Sequence, residues 1–141
     1  MAAILVIDAS AALKAFVEEK GSDQARRLFA GESLLMAPAH ALGEFAEVLV
    51  RKATKSELAL GQVFEAIRIL RKSIGFMAID GLIEIAVQIA IEAEVSVYDA
   101  LYIAMARVLG CSLVTADDRL IRKVGLTADS QLMIPLSKFA G

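Results

Sequence analysis

The sequence predicts an α/β layered fold built on a mainly parallel sheet of four or five strands, and three observations carry the prediction. Four short apolar runs, in "ILVID", "LLMA", "FMAI" and "SLVT", lack the polar–apolar alternation of a half-buried strand and suit strands covered on both faces. The segments between them repeat apolar residues at helical spacing. Strand and helix candidates alternate along the chain, the order that produces parallel pairing.

"ILVID" is the first strand, after which Ser10 is expected to cap a helix over "AALKAFVEE". A short helix from Asp23 to Ala30 ends at Gly31, "LLMA" forms the second strand, and Pro38 suits the opening of the next helix. That helix should run from about Ala39 to Ala53, with Leu42, Phe45, Ala46, Leu49 and Ala53 as its core stripe. Ser56 is expected to cap the following helix, whose stripe is Val63, Phe64, Ile67 and Leu70. After "FMAI", Asp80 should cap a helix through about Ala93. Only Glu84, Gln88 and Glu92 form a polar stripe on it, so it reads as buried on two sides, as at a dimer interface. A further helix begins near Val97 and stops before Gly110. "SLVT" is the fourth strand, "DDRLIRKV" a short helix, and "LMIPL" an edge strand, because Pro135 cannot donate to a ladder.

A length of 141 residues matches one domain with one continuous core, and no repeat, linker or low-complexity segment divides it. The hydrophobic fraction of 57% and mean hydropathy of +0.63 are high for a soluble domain, consistent with apolar surface reserved for another subunit. No stretch approaches the roughly 18 uncharged apolar residues of a membrane span. The N-terminal run has no basic flank and is interrupted by Asp8, so no signal peptide is expected. Cys111 is the only cysteine, which excludes an intrachain disulfide, and a cytoplasmic location is the expectation. A net charge of −2 and a pI of about 5.4 count against indiscriminate electrostatic binding of nucleic acid, though not against local basic patches.

In open parallel sheets the reactive site lies beyond the carboxyl ends of the strands. Asp8 closes "ILVID" and Asp117 follows "SLVT" after one residue. Asp99 lies near the start of its helix, in a run from Val97 to Ala106 otherwise free of charge, and Glu44 lies in the first half of another helix. Each acid also has a structural reading. Asp99 completes a capping box, Ser96-x-x-Asp99, and Thr115-x-x-Asp118 repeats it with Asp117 as a first-turn acid. Glu44 and Glu47 can pair with Arg51 along one helix face, and Asp8 can be a turn residue. Asp80 ends "FMAID" just as Asp8 ends "ILVID", so position alone does not separate a functional acid from a structural one.

The remaining inventory narrows the chemistry. His40 is the sole histidine, which excludes a two-histidine nuclease, and it reads as an exposed residue at a helix start. There is no cysteine pair for a soft metal, no G-x-G-x-x-G and no Walker A phosphate cradle. The residue two after Asp8 is Ser10, so an Asp-x-Asp phosphatase motif also fails. What remains is an all-oxygen carboxylate cluster, which suits a hard cation such as Mg²⁺ or Mn²⁺.

Three blocks, "VIDASAALKAFVEE", "APAHALGEFAEVLVRK" and "SVYDALYIAMARVLGCSLVTADDRL", resemble in order and wording the blocks of PIN-domain ribonucleases, specifically the VapC-type toxins of toxin–antitoxin pairs. The resemblance covers nearly the whole chain and is weakest between about Lys55 and Gly75. It implies a three-layer α/β/α fold, a homodimer and an endoribonuclease dependent on Mg²⁺ or Mn²⁺. The family's acidic site falls on Asp8, Glu44, Asp99 of the YDA motif and Asp117 of the TAD motif. Ser10 and Thr115 match small hydroxyl positions that support that site, Asp118 matches a variable position, and Asp80 a helix cap. A small antitoxin protein would inhibit the enzyme by placing its tail in the groove, and transfer RNA or ribosomal RNA loops would be the substrates. An RNA strand needs cations; the candidates are Arg51, Lys52 and Lys55, then Arg68, Arg71 and Lys72, then Arg119, Arg122 and Lys123, with Lys14 near the site mouth. Two other readings stand beside this one: an inert PIN-like binding subunit, and a DNA-directed structure-specific nuclease. Four converging acids argue against the first, and the short chain against the second.

Overall fold

The computed structural model describes residues 2–139. Five strands, β1 (Ile4–Ile7), β2 (Leu34–Pro38), β3 (Ile74–Met77), β4 (Ser112–Thr115) and β5 (Met133–Pro135), pair in parallel throughout, in the order β3-β2-β1-β4-β5. Leu5, Val6, Ile7, Leu113 and Val114 are all buried. Consecutive strand residues point to opposite faces, so a strand buried along its length must be covered on both.

The chain order explains the two covering layers. From β1 the chain moves outward through β2 to β3, then returns past β1 to add β4 and β5 on the other side. Right-handed crossovers put the helices of the outward run on one face and those of the return on the other. The first set is α1 (Ala9–Ala12), α2 (Ser22–Ala30), α3 (Ala41–Thr54) and α4 (Leu60–Ser73); the second is α5 (Ile83–Ala93), α6 (Val97–Leu109) and α7 (Asp118–Val124). Within the first, α3 packs on α1 and α4; within the second, α5 packs on α6, which lies against β1, β2 and β4. Every α6 residue from Ala100 to Ala106 is buried, which accounts for its lack of charge there.

Several local expectations are corrected. Asp8, not Ser10, caps α1: its side chain accepts from the Ala11 N–H, and Ser10 lies inside the helix, which is a single turn continued as a 3₁₀ segment over Leu13–Phe16. Pro38 closes β2 instead of opening α3. Ser56 adopts a left-handed conformation in the turn after α3, and α4 starts at Leu60, where the Gln62 side chain accepts from the Ala59 N–H. Phe64 is exposed, because the buried line of α4 is Val63, Ala66 and Leu70. Asp80 opens a 3₁₀ turn, Asp80–Leu82, and α5 follows from Ile83. Asp117 itself caps α7 by accepting from the Leu120 N–H, while Thr115 ends β4. The Ser96 cap of α6 is as expected, its hydroxyl accepting from the Asp99 N–H.

Arg107 near the end of α6 fastens the segment before β5, donating to both oxygens of buried Asp129 at 3.1 and 2.5 Å. Arg107→Ala leaves that carboxylate without its partner and is expected to lower stability by about 2 kcal/mol. A urea midpoint that falls with an unchanged slope checks this.

Candidate active site

The topology gathers the four candidate acids at one end of the sheet. Asp8 and Asp117 follow β1 and β4, the adjacent strands at which the sheet order reverses, and such a switch point is where open α/β sheets bind ligands. Because α3 follows β2 and α6 leads into β4, both helices begin at that same end. Glu44 and Asp99 each occupy the first turn, where the helix dipole favours negative charge. All four carboxylates line one cleft of about 520 Å³.

Asp8 is the most constrained. Its Oδ1 accepts from the Ser10 hydroxyl at 2.7 Å and the Ala11 N–H at 3.1 Å, and its Oδ2 from the Thr115 hydroxyl at 2.5 Å. Ser10 Oγ in turn accepts from the Ala116 N–H and Thr115 Oγ1 from the Asp117 N–H, so the hydroxyls tie β1's end to β4's. These hydrogen bonds favour the anion, yet burial outweighs them and pushes the Asp8 carboxyl up to about 6, with the charge of Asp117 adding a little. Asp99 is half-buried. Its carboxyl is also pushed up, by burial first and then by the charges of Asp117 and Glu44, against the opposing influence of the Ser96 hydroxyl and Arg119.

Glu44 is pinned from the other layer. The Tyr102 hydroxyl donates to its Oε1 at 2.6 Å, and His40 Nε2 lies 3.5 Å from the same oxygen. Among the described residues Oε2 has no protein donor and remains available to the cleft. His40 is not the exposed residue expected: its side chain is 13% exposed, its Nε2–H donates to the Tyr98 carbonyl, and its ring sits between Tyr98 and Tyr102. Its buried Nδ1 has no partner. The i,i+4 spacing of His40 and Glu44 was readable in the sequence. The covering tyrosines, about sixty residues away, were not.

Of the other candidates, Ser10 and Lys14 line the cleft, whereas Asp118 and Thr115 line a smaller neighbouring cavity of about 250 Å³. Arg51 and Lys52 line the cleft with Glu47 and Glu19. Arg68 pairs with Glu65 on the exposed side of α4, and Lys123 donates to the Glu94 carbonyl.

A divalent cation would meet an all-oxygen donor set in this cleft. Among the described residues, no three acidic, histidine or cysteine groups already converge on one coordination point. The groups present are nevertheless hard oxygen donors whose mutual repulsion is incompletely compensated by protein. Mg²⁺ commonly keeps several waters and takes only one or two carboxylates directly. Carboxylates spread round a cleft fit that mode of binding, with part of the set acting through water.

Residues 5–126 match the family model of the PIN domain. VapC ribonuclease Mb0985 of Mycobacterium bovis is 38% identical over 118 residues, covering 83% of this chain and 88% of the relative. Among solved structures, PAE2754 from Pyrobaculum aerophilum superposes with a TM-score of 0.72 at 20% identity, covering 97% of this chain and 86% of that one. A chain of a toxin–antitoxin complex from Klebsiella pneumoniae gives 0.66 at 17% identity, covering 94% and 97%.

Proposed function

The chain belongs to the PIN-domain family, in its VapC-type group, and on that premise we propose that it is a divalent-metal-dependent endoribonuclease, the toxin of a toxin–antitoxin pair. The observation that carries the reading is the meeting of Asp8, Glu44, Asp99 and Asp117, from four distant parts of the chain, in one cleft at the switch point of a parallel sheet. Water-mediated and direct contacts from Asp8, Asp99 and Asp117 would hold Mg²⁺ or Mn²⁺. The bound cation supplies charge compensation for the phosphate and the leaving oxygen, and makes water a stronger nucleophile.

The chain's own residues do the positioning. Ser10 and Thr115 fix the Asp8 carboxylate, so its orientation requires no rearrangement when substrate enters. Tyr102 occupies one oxygen of Glu44 and leaves the other to orient the attacking water and take its proton. In-line attack then gives 5′-phosphate and 3′-hydroxyl ends. Transfer RNA or a ribosomal RNA loop is the substrate class this reading favours, in the cytoplasm. No helix among the described residues is long and apolar enough to cross a membrane.

An antitoxin protein is the partner that the VapC-type relationship supports. A homodimer is supported by α5, whose buried line is Ala86, Ile89 and Ala93 while Val87 and Ile91 are exposed one turn apart. Purified protein incubated with RNA should cleave it with Mn²⁺ or Mg²⁺ and stop when EDTA is added. Equal cleavage in EDTA, or cleavage of single-stranded or flap DNA in preference to RNA, would overturn the reading.

A further inference from the structure

Three basic clusters were candidates for holding a substrate strand, and only one of them lines the carboxylate cleft. In it Lys14 Nζ lies 3.3 Å from Glu19 Oε1 and Lys52 Nζ lies 3.5 Å from Glu19 Oε2, so one carboxylate bridges two ammonium groups from different segments. These are not loose surface lysines: their side chains are 25% and 15% exposed. Gly21, at φ +94°, gives Lys14 its seat. A Cβ on that residue would come within 3.1 Å of Lys14 Cδ, so the lysine stem lies along bare backbone. Lys14 also lines the neighbouring cavity, which contains Lys20, and so forms part of the wall between the two.

We propose that Lys14 and Lys52 form a phosphate subsite for the phosphodiester next to the one cleaved, and that Glu19 is its built-in counterion, displaced when the strand enters. The proposal rests on the nuclease reading above and adds to it a named site and an exchange step. The cleft is lined by six acids and three cations, so an RNA strand meets net repulsion unless some cations point at phosphates. In the free protein Glu19 presents one carboxylate oxygen to each ammonium group, a place that an incoming phosphate can take. No covalent step is involved; one anion replaces another between the same two cations.

Binding of a fluorescein-labelled single-stranded RNA 12-mer, measured in EDTA across a salt series, tests this. Lys14→Gln with Lys52→Gln should weaken binding about tenfold and reduce the slope of log affinity against log salt by about 0.7 to 1, the share of one phosphate. Glu19→Gln should do the opposite and tighten binding about threefold to fivefold, the scale of one exposed ion pair. That gain should vanish when both lysines are replaced, and a gain of affinity cannot come from misfolding. Unchanged affinity and slope in the double lysine variant, or weaker binding by Glu19→Gln, would overturn the subsite. If wild type cleaves RNA with Mn²⁺ while the lysine variants bind normally, the subsite alone is wrong. Should wild type neither bind nor cleave RNA, the nuclease reading falls and the subsite with it.

Discussion

Asp99→Asn is expected to slow RNA cleavage by about 10²–10³-fold, the scale for removing one preorganised electrostatic group from a reaction centre, while the fold stays intact. The helix start does not depend on the carboxylate: Ser96 Oγ caps α6 through the Asp99 backbone N–H, which asparagine retains. What asparagine removes is a half-buried negative charge facing Asp117 and Glu44. Without a cation that removal relieves repulsion, so the metal-free variant should melt no lower than the parent. With Mn²⁺ the order reverses, because a ligand that binds only the folded state stabilises in proportion to its affinity. Wild type should therefore gain more in melting temperature on Mn²⁺ addition than Asp99→Asn. A variant that cleaves as fast as the parent, or gains as much from Mn²⁺, would remove Asp99 from the site.

The strands and the end of the sheet that carries the site were legible because parallel pairing leaves a strong trace. "ILVI" and "SLVT" are apolar without alternation, and acids stand just beyond them. In the sequence only the family resemblance, not position, separates Asp8 from Asp80, both of which end apolar runs. The structure does so by neighbours: Asp8 faces Thr115 of β4 across the switch point, whereas β3, before Asp80, is at the sheet's edge. Helix caps are ambiguous in the sequence where two candidates lie close together. Asp8 and Asp117 take the roles expected of Ser10 and of the Thr115 pair, so the same carboxylates serve helix starts and line the cleft. Contacts between distant segments left no signal at all. The Tyr102 bond to Glu44 spans 58 residues, and so does the His40 bond to the Tyr98 carbonyl. Likewise Lys52 reads as one of several helix-end cations until Glu19 is seen to join it to Lys14.

Asp8→Asn should abolish cleavage and yet stabilise the metal-free protein at neutral pH. The Asp8 carboxyl, ordinarily 3.8, stands at about 6 in the fold. Below 3.8 the group is protonated in both folded and unfolded chains and its ionisation costs nothing. Between 3.8 and 6 the unfolded chain releases its proton while the folded one keeps it, so stability falls as pH rises. Above 6 the whole difference is present, about 3 kcal/mol at 1.36 kcal/mol per unit. Asparagine carries no charge and can keep the local bonds: its Oδ1 can accept from Ser10 and Ala11, and its Nδ2 can donate to Thr115 Oγ1. The Thr115 hydrogen is then free to turn toward Ser10 Oγ, 3.2 Å away. In EDTA, the melting temperatures of parent and variant should nearly coincide at pH 4, separate between pH 4 and 6, and differ by roughly 10 °C at pH 8. Mn²⁺ at pH 8 should close most of that gap by stabilising the parent alone. A gap of equal size at pH 4 and pH 8 would mean that packing, not the buried charge, sets the difference, and that Asp8 carries no electrostatic cost for a cation to offset.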